Sequence, residues 1–144
     1  MDVLRISASD TYEIRNLVLR PGLPVKTCHF DGDKDEQSFH LGAFVEKRLV
    51  SVASFYLENN PTFSDQYQYR LRGMATVPEQ RKKGFSEALL RMAYPIIKQN
   101  FCSLLWCNAR LSAQGFYEKA GFQTHGEIFE IEGIGPHILM SIKI

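Results

Sequence analysis

No run of apolar side chains in the sequence approaches the roughly 18 to 20 residues that a membrane-spanning helix needs. The opening, "MDVLRISASD", has an acid at position 2 and no apolar core, so no signal peptide is expected there. Cysteine is scarce: Cys28, Cys102 and Cys107 are odd in number and make neither a CxxC pair nor a Cys/His pattern. That argues against a disulfide framework and against a metal site, and makes the cytoplasm the expected compartment. An excess of one charge is lacking too. Seventeen Lys and Arg oppose sixteen Asp and Glu, a net charge of +1, so neither nucleic acid nor a membrane is expected as a partner. Linkers, repeats and low-complexity tracts are absent, and 144 residues suit a single domain, 1–144, with a sizeable core.

One stretch stands out from this even background. "TVPEQRKKGFSEALL", residues 76–90, places Arg81, Lys82 and Lys83 directly before Gly84 and then opens an amphipathic helical pattern. The first turn of a helix already carries partial positive charge and favours Asp or Glu. Three cations there either stand in water or await an anion. Unpaired N–H groups at a helix start are a ready anion site. Gly84 has no Cβ and lets a diphosphate approach the backbone, Ser86 is small and can donate a hydroxyl, and Arg81 can grip phosphate with two hydrogen bonds. The spacing matches neither the Walker loop nor GxGxxG, which disfavours nucleotide hydrolysis and dinucleotide binding.

The pattern around that stretch alternates helices and strands. "VLRIS" (3–7) reads as a strand, and 10–20 as a helix capped by Asp10 with Ile14, Leu17 and Val18 on its apolar side. Residues 21–38 read as a long irregular segment and 39–58 as a hairpin around Glu46, Lys47 and Arg48. The strand at 66–77 has Gly73 disturbing its alternation, which predicts a bulge. Helical spacing follows Gly84, with Pro95 expected to kink or end the helix. "FCSLLWCNA" (101–109) reads as a buried strand, 112–121 as a helix capped by Ser112 and ended by Gly121, and the remainder as a closing pair of strands. Adjacent strands at both ends imply a mixed sheet in an α/β (α+β) fold.

"MATVPEQRKKGFSEALL" and "WCNARLSAQGFYEKAGF" together resemble motifs A and B of the GNAT superfamily of acyl-CoA-dependent N-acyltransferases. The family's Gln/Arg-x-x-Gly-x-Gly/Ala falls on Arg81, Gly84 and Ser86, the last a small residue in place of Gly or Ala. The resemblance covers residues 39–125. It implies a twisted, mainly antiparallel sheet of about six or seven strands flanked by helices and splayed at a central parallel pair. It also implies acetyl-CoA as cosubstrate and no metal. Backbone groups of Met74, Ala75 and Thr76 would meet the pantetheine arm and supply an oxyanion donor. The turn through Arg81, Lys82, Lys83, Gly84, Phe85 and Ser86 would cradle the pyrophosphate. Asn108 would contact pantetheine and Tyr117 would serve as general acid.

Many relatives supply a carboxylate base from the strand before motif A, but "YQYRLRG" has none. His40, Glu46, Glu58 and His137 are substitutes by position, and deprotonation through water is a further route. Residues 21–38 and 59–65 are expected to border the acceptor site. There Asp31, Asp33, Asp35 and Glu36 would favour a cationic amine, whereas Arg70 and Arg72 would favour a carboxylate. The partner implied is an amine-bearing small molecule or peptide, with homodimerisation left open. The alternative is a non-catalytic CoA-binding sensor or interaction module of the same fold.

Overall fold

In the computed structural model, which describes residues 2–144, the apolar runs around Glu46 and Lys47 pair as an antiparallel hairpin, β2 (Phe39–Val45) and β3 (Arg48–Leu57). Both turn residues have positive φ, 49° and 67°, the geometry that matches the twist of the flanking strands. β1 (Asp2–Ile6) adds to one edge, and β4 (Tyr69–Thr76) continues the sheet beyond β3. β5 (Leu104–Arg110), β7 (Gly135–Lys143) and β6 (Gln123–Ile131) complete seven strands in the order β1-β2-β3-β4-β5-β7-β6. Every neighbouring pair is antiparallel except β4 and β5, which run parallel. The sheet is thus the mixed, mainly antiparallel one expected, with helices flanking it.

The helix α2 (Phe85–Gln99) buries Phe85, Leu89, Leu90, Ala93 and Ile97 in one core with Leu41, Phe55 and Leu71 of the sheet. Pro95 does not end it. The proline lies on the exposed face, so the Arg91 carbonyl that loses its partner can turn to water. The first helical segment differs more from expectation. Its cap is Ser7, whose N–H donates 3.0 Å to the Asp10 carboxylate. It then passes through a 3-10 turn (Ala8–Thr11), α1 (Tyr12–Ile14) and a π turn (Arg15–Leu19). The wider π turn rotates the face, so Arg15 is fully buried and Leu17 is 56% exposed.

At the other end of the sheet, Phe101 is exposed with φ 62° and the buried strand begins only at Leu104. α3 (Gln114–Lys119) follows a 3-10 turn (Leu111–Ala113), so Ser112 lies inside the turn and does not cap the helix. Gly121, at φ 101°, ends it as expected. Among the described residues no helix is long and apolar enough to cross a membrane.

Candidate functional site

β4 and β5 start as neighbours and then separate. Only Tyr69 with Leu105 and Arg70 with Trp106 are in register, although β4 runs on to Thr76 and β5 to Arg110. The cause lies on the other side of β4. Val52 opposes Ala75 and Ser54 opposes Arg72, so Ala53 alone faces both Gly73 and Met74. This is a β-bulge, with Gly73 at φ 64°, and it turns the end of β4 away from β5. A Cβ at Gly73 would stand 3.1 Å from the Phe30 ring and 3.2 Å from Arg15 Nε, so the bulge also needs the missing side chain for room.

A cleft of about 170 Å³ occupies the gap. Met74, Asn108 and Tyr117 all line it, three of the residues expected from the two motifs. The Tyr117 ring is buried between Phe116 and Phe122, with centroids at 5.2 and 5.1 Å, and its hydroxyl lies 3.7 Å from Met74 Sδ. Burial, reinforced by Cys107, pushes this phenol well above its ordinary range, so it keeps its proton. Cys107 lines the same cleft, but burial pushes its thiol up to about 12, which leaves no thiolate for a covalent route.

At the far end of β4, Ala75 is buried and the Thr76 hydroxyl bridges Ser51 at 2.7 Å and Ser86 at 3.3 Å. The chain then turns through Arg81, Lys82, Lys83 and Gly84, all exposed, before Phe85 enters the core. Gly84 is the N-cap of α2 at φ 85°, and no side chain caps the helix. A Cβ there would meet nothing within 4 Å. The glycine is needed for its left-handed backbone, and the space before it is open. The three cations have only weak protein partners: Arg81 Nε reaches the Thr76 carbonyl at 3.4 Å and Lys83 reaches Gln80 at 3.2 Å. An uncapped helix start, open space and exposed cations suit a phosphate-bearing group.

The same cleft is lined by a second set of side chains, on the face of the sheet turned away from α2. Arg70 and Arg72 are in register with Tyr56 and Ser54, Trp106 with Arg70, and Arg110 with His137, so these side chains share one face. The segment from Leu19 to Phe30 covers it. Phe30 belongs to the segment 21–38 that was expected to border the acceptor site, although it was not singled out; Arg20 and Arg110 were not named because no short-range pattern joins a helix end to a distant strand.

The acidic cluster at 31–36 behaves otherwise than expected. Asp33 is 7% exposed and forms a two-pronged ion pair with buried Arg15, at 2.7 and 3.0 Å. Tyr56 donates to the same carboxylate, and Arg15 donates to Ser54 at 2.7 Å. Burial alone would raise the Asp33 pKa, but hydrogen bonds from Arg15, Tyr56 and the Phe30 N–H outweigh it and lower the value. Asp33 therefore holds the covering segment to the sheet and is not available to an amine. Asp31, Asp35 and Glu36 border a separate depression beside Glu58, away from the cleft.

Of the substitute bases, His40 is in the same buried network, its Nε2 at 2.8 Å from the Asp33 carbonyl and its Nδ1 at 2.7 Å from Ser54 Oγ. Glu46 is in the hairpin turn, and Glu58 pairs with Arg70 at 3.1 Å. Residues 59–65 do not border the cleft. They are tied to Gln68 and, through Asp65, to Lys143. His137 does line the cleft, with Nδ1 donating 2.8 Å to the Gly135 carbonyl. That hydrogen bond fixes the tautomer and leaves a lone pair on Nε2.

Comparison with known proteins identifies the family and its fold. Residues 28–144 match the model of the acetyltransferase (GNAT) domain. The chain is 41% identical over 140 residues to the uncharacterized N-acetyltransferase YitI of Bacillus subtilis, covering 97% of this chain and 94% of that one. FeeM, an N-acyl amino acid synthase from uncultured soil microbes, superposes with a TM-score of 0.81 at 10% identity, over 99% of this chain and 90% of that one. An aminoglycoside 6'-N-acetyltransferase complexed with coenzyme A gives 0.72 at 12% identity, over 99% and 97%. The chain belongs to the GNAT acetyltransferase family.

Proposed function

We propose that the protein transfers an acetyl group from acetyl-CoA to a primary amine by direct attack within the cleft between β4 and β5. The observation that carries this is that one strand, β4, joins both features. It lines the cleft at Met74, where a protonated tyrosine faces a sulfur atom. At its end the Thr76 hydroxyl lies 3.3 Å from Ser86 in the first turn of the uncapped, cation-flanked helix that starts at Gly84. Arg81, Lys82 and Lys83, with the first amides of α2 from Gly84 through Phe85 to Ser86, would hold the diphosphate. The unpaired edge of β4 at Met74, Ala75 and Thr76 would bind the pantetheine arm, with Asn108 across the gap. A family relative solved with coenzyme A supports this assignment of the cosubstrate.

His137 accepts a proton from the incoming ammonium, so that a neutral amine attacks the thioester carbonyl. A backbone N–H at Met74 or Ala75 stabilises the oxyanion that forms. As the carbon–sulfur bond breaks, Tyr117 gives its proton to the departing thiolate and regains one from the nitrogen of the collapsing intermediate, and the new amide leaves with free CoA thiol. An N-acyl amino acid synthase and an aminoglycoside 6'-N-acetyltransferase share this fold, so the fold alone does not choose the acceptor.

The test is thiol release from acetyl-CoA across a panel of amines, with coenzyme A binding measured in parallel. Amine-dependent release supports the transferase. Tight coenzyme A binding without turnover by any amine, and no effect of Tyr117→Phe, would instead support a CoA sensor.

A further inference from the structure

We propose that the acceptor is a small amine carrying a carboxylate, an amino-acid-like molecule whose anionic end is received by Arg72 with Arg20 and Arg110 beside it. This deepens the acyltransferase reading and rests on it for the reaction, though not for the capture of the anion.

Arg72 is the central observation. Its guanidinium lies 4.3 Å from the centre of the Phe30 ring and lines the cleft, yet no carboxylate or carbonyl among the described residues accepts a hydrogen bond from it. Its neighbours show what a satisfied arginine looks like here. Arg15 is stacked on the same ring at 4.1 Å and has Asp33, and Arg70 has Glu58. Arg20, 5.2 Å from that ring, gives one N–H to the Thr27 carbonyl at 2.8 Å, and Arg110 gives one to the Leu19 carbonyl at 3.2 Å. Carbonyls accept hydrogen bonds but cancel no charge. Three half-buried guanidiniums therefore face one cleft, and among the described residues none of them forms an ion pair.

Like charges withdrawn from water are costly to hold together. Burial, and then Arg70, lower the pKa of Arg72; burial, and then Arg20, lower that of Arg110. A bound carboxylate relieves both the desolvation and the repulsion, and the planar fork of arginine matches its two oxygens. No acidic side chain among the described residues lines the cleft. Glu132 borders the groove that continues past Arg20 and Arg110, where it forms no ion pair with either. A polycationic acceptor would meet these three unpaired guanidiniums and be excluded. Size points the same way, because a cleft of about 170 Å³ is below the roughly 300 to 1,000 Å³ of sites for larger ligands. The register that pairs Arg110 with His137 sets the anion's receptor beside the proposed base.

The experiment compares a panel of L-amino acids with their own carboxamides, with spermidine as the polycation. Calorimetric titration onto the CoA-loaded protein is run beside thiol release from acetyl-CoA. At least one amino acid should surpass its amide by roughly tenfold or more in kcat/KM, with spermidine poorest. Arg72→Gln should raise that amino acid's KM by a similar factor, with kcat and coenzyme A affinity within about twofold, and Arg72→Lys should recover part of the loss. Amides equal to acids, spermidine as the best acceptor, or an unchanged KM in Arg72→Gln would each overturn the inference while leaving the transferase reading intact. If no amine supports thiol release, that reading fails and the titration alone decides. Binding of an amino acid but not its amide, lost in Arg72→Gln, upholds the anion site, and no such preference overturns it.

Discussion

The Tyr117 hydroxyl lies 3.7 Å from the Met74 sulfur, across the gap that opens where β4 and β5 cease to pair. A thioether is a weak acceptor, so this contact is easily exchanged for another sulfur. Tyr117 has no stronger hydrogen-bond partner among the described residues. Tyr117→Phe is therefore expected to lower kcat by roughly a hundredfold or more while changing coenzyme A affinity little. Because burial raises the tyrosine pKa, no basic limb from this group should appear below about pH 10. Unchanged turnover in the variant would remove Tyr117 from the acid role.

His137→Gln tests the base. The glutamine keeps a donor but has no ring lone pair to accept the amine's proton. Turnover at pH 7 is expected to fall by roughly tenfold to a hundredfold, with coenzyme A affinity little changed. Unchanged turnover would leave water as the proton acceptor.

Much of this site was legible in the sequence because its logic is local. A glycine that breaks strand alternation and a cationic turn before a helix declare themselves within a few residues. Gly73 and Gly84 stand out that way, whereas Asn108 and Tyr117 were singled out only through the resemblance to the family's second motif. The acceptor side was not legible in the same way. Arg15 sits at a position that reads as a polar helix face, and only the π turn carries it inward to Asp33. Phe30, Arg20 and Arg110 are separated by up to 90 residues and meet only through tertiary packing. Asp33 looked like one of several loop acids until its partner was seen.

Gly73→Ala addresses the bulge. The positive φ strains any Cβ, and the Phe30 ring and Arg15 Nε are within 3.2 Å of where it would stand. A loss of roughly 1 to 2 kcal/mol in stability is expected, read as a lower Tm, together with a raised KM for the acceptor. A wild-type Tm and KM would show that the bulge does not position the covering segment.

The buried network makes stability sensitive to acid. Burial, only partly offset by the Asp33 carbonyl, holds the His40 pKa below 6.5, so the unfolded chain takes up this proton before the folded one does. The stability is complete above about pH 6.5 and is lost as pH falls from there through the folded-state value. Asp33, whose pKa is lowered below 3.8, adds a further loss at lower pH in the same direction. His40→Gln should flatten the decline of the urea midpoint between pH 6.5 and 5. An undiminished decline would place the acid sensitivity elsewhere.

The most direct test of the proposal is the affinity of coenzyme A for the wild-type protein, Gly84→Asp and Gly84→Asn. Both replacements tolerate a left-handed backbone better than other residues, and open space surrounds the site, so both variants should fold. A carboxylate beside the first amides of α2 should weaken binding by roughly a hundredfold or more, with Asn distinctly milder. Equal affinity in all three proteins would contradict the assignment of this helix start to the diphosphate.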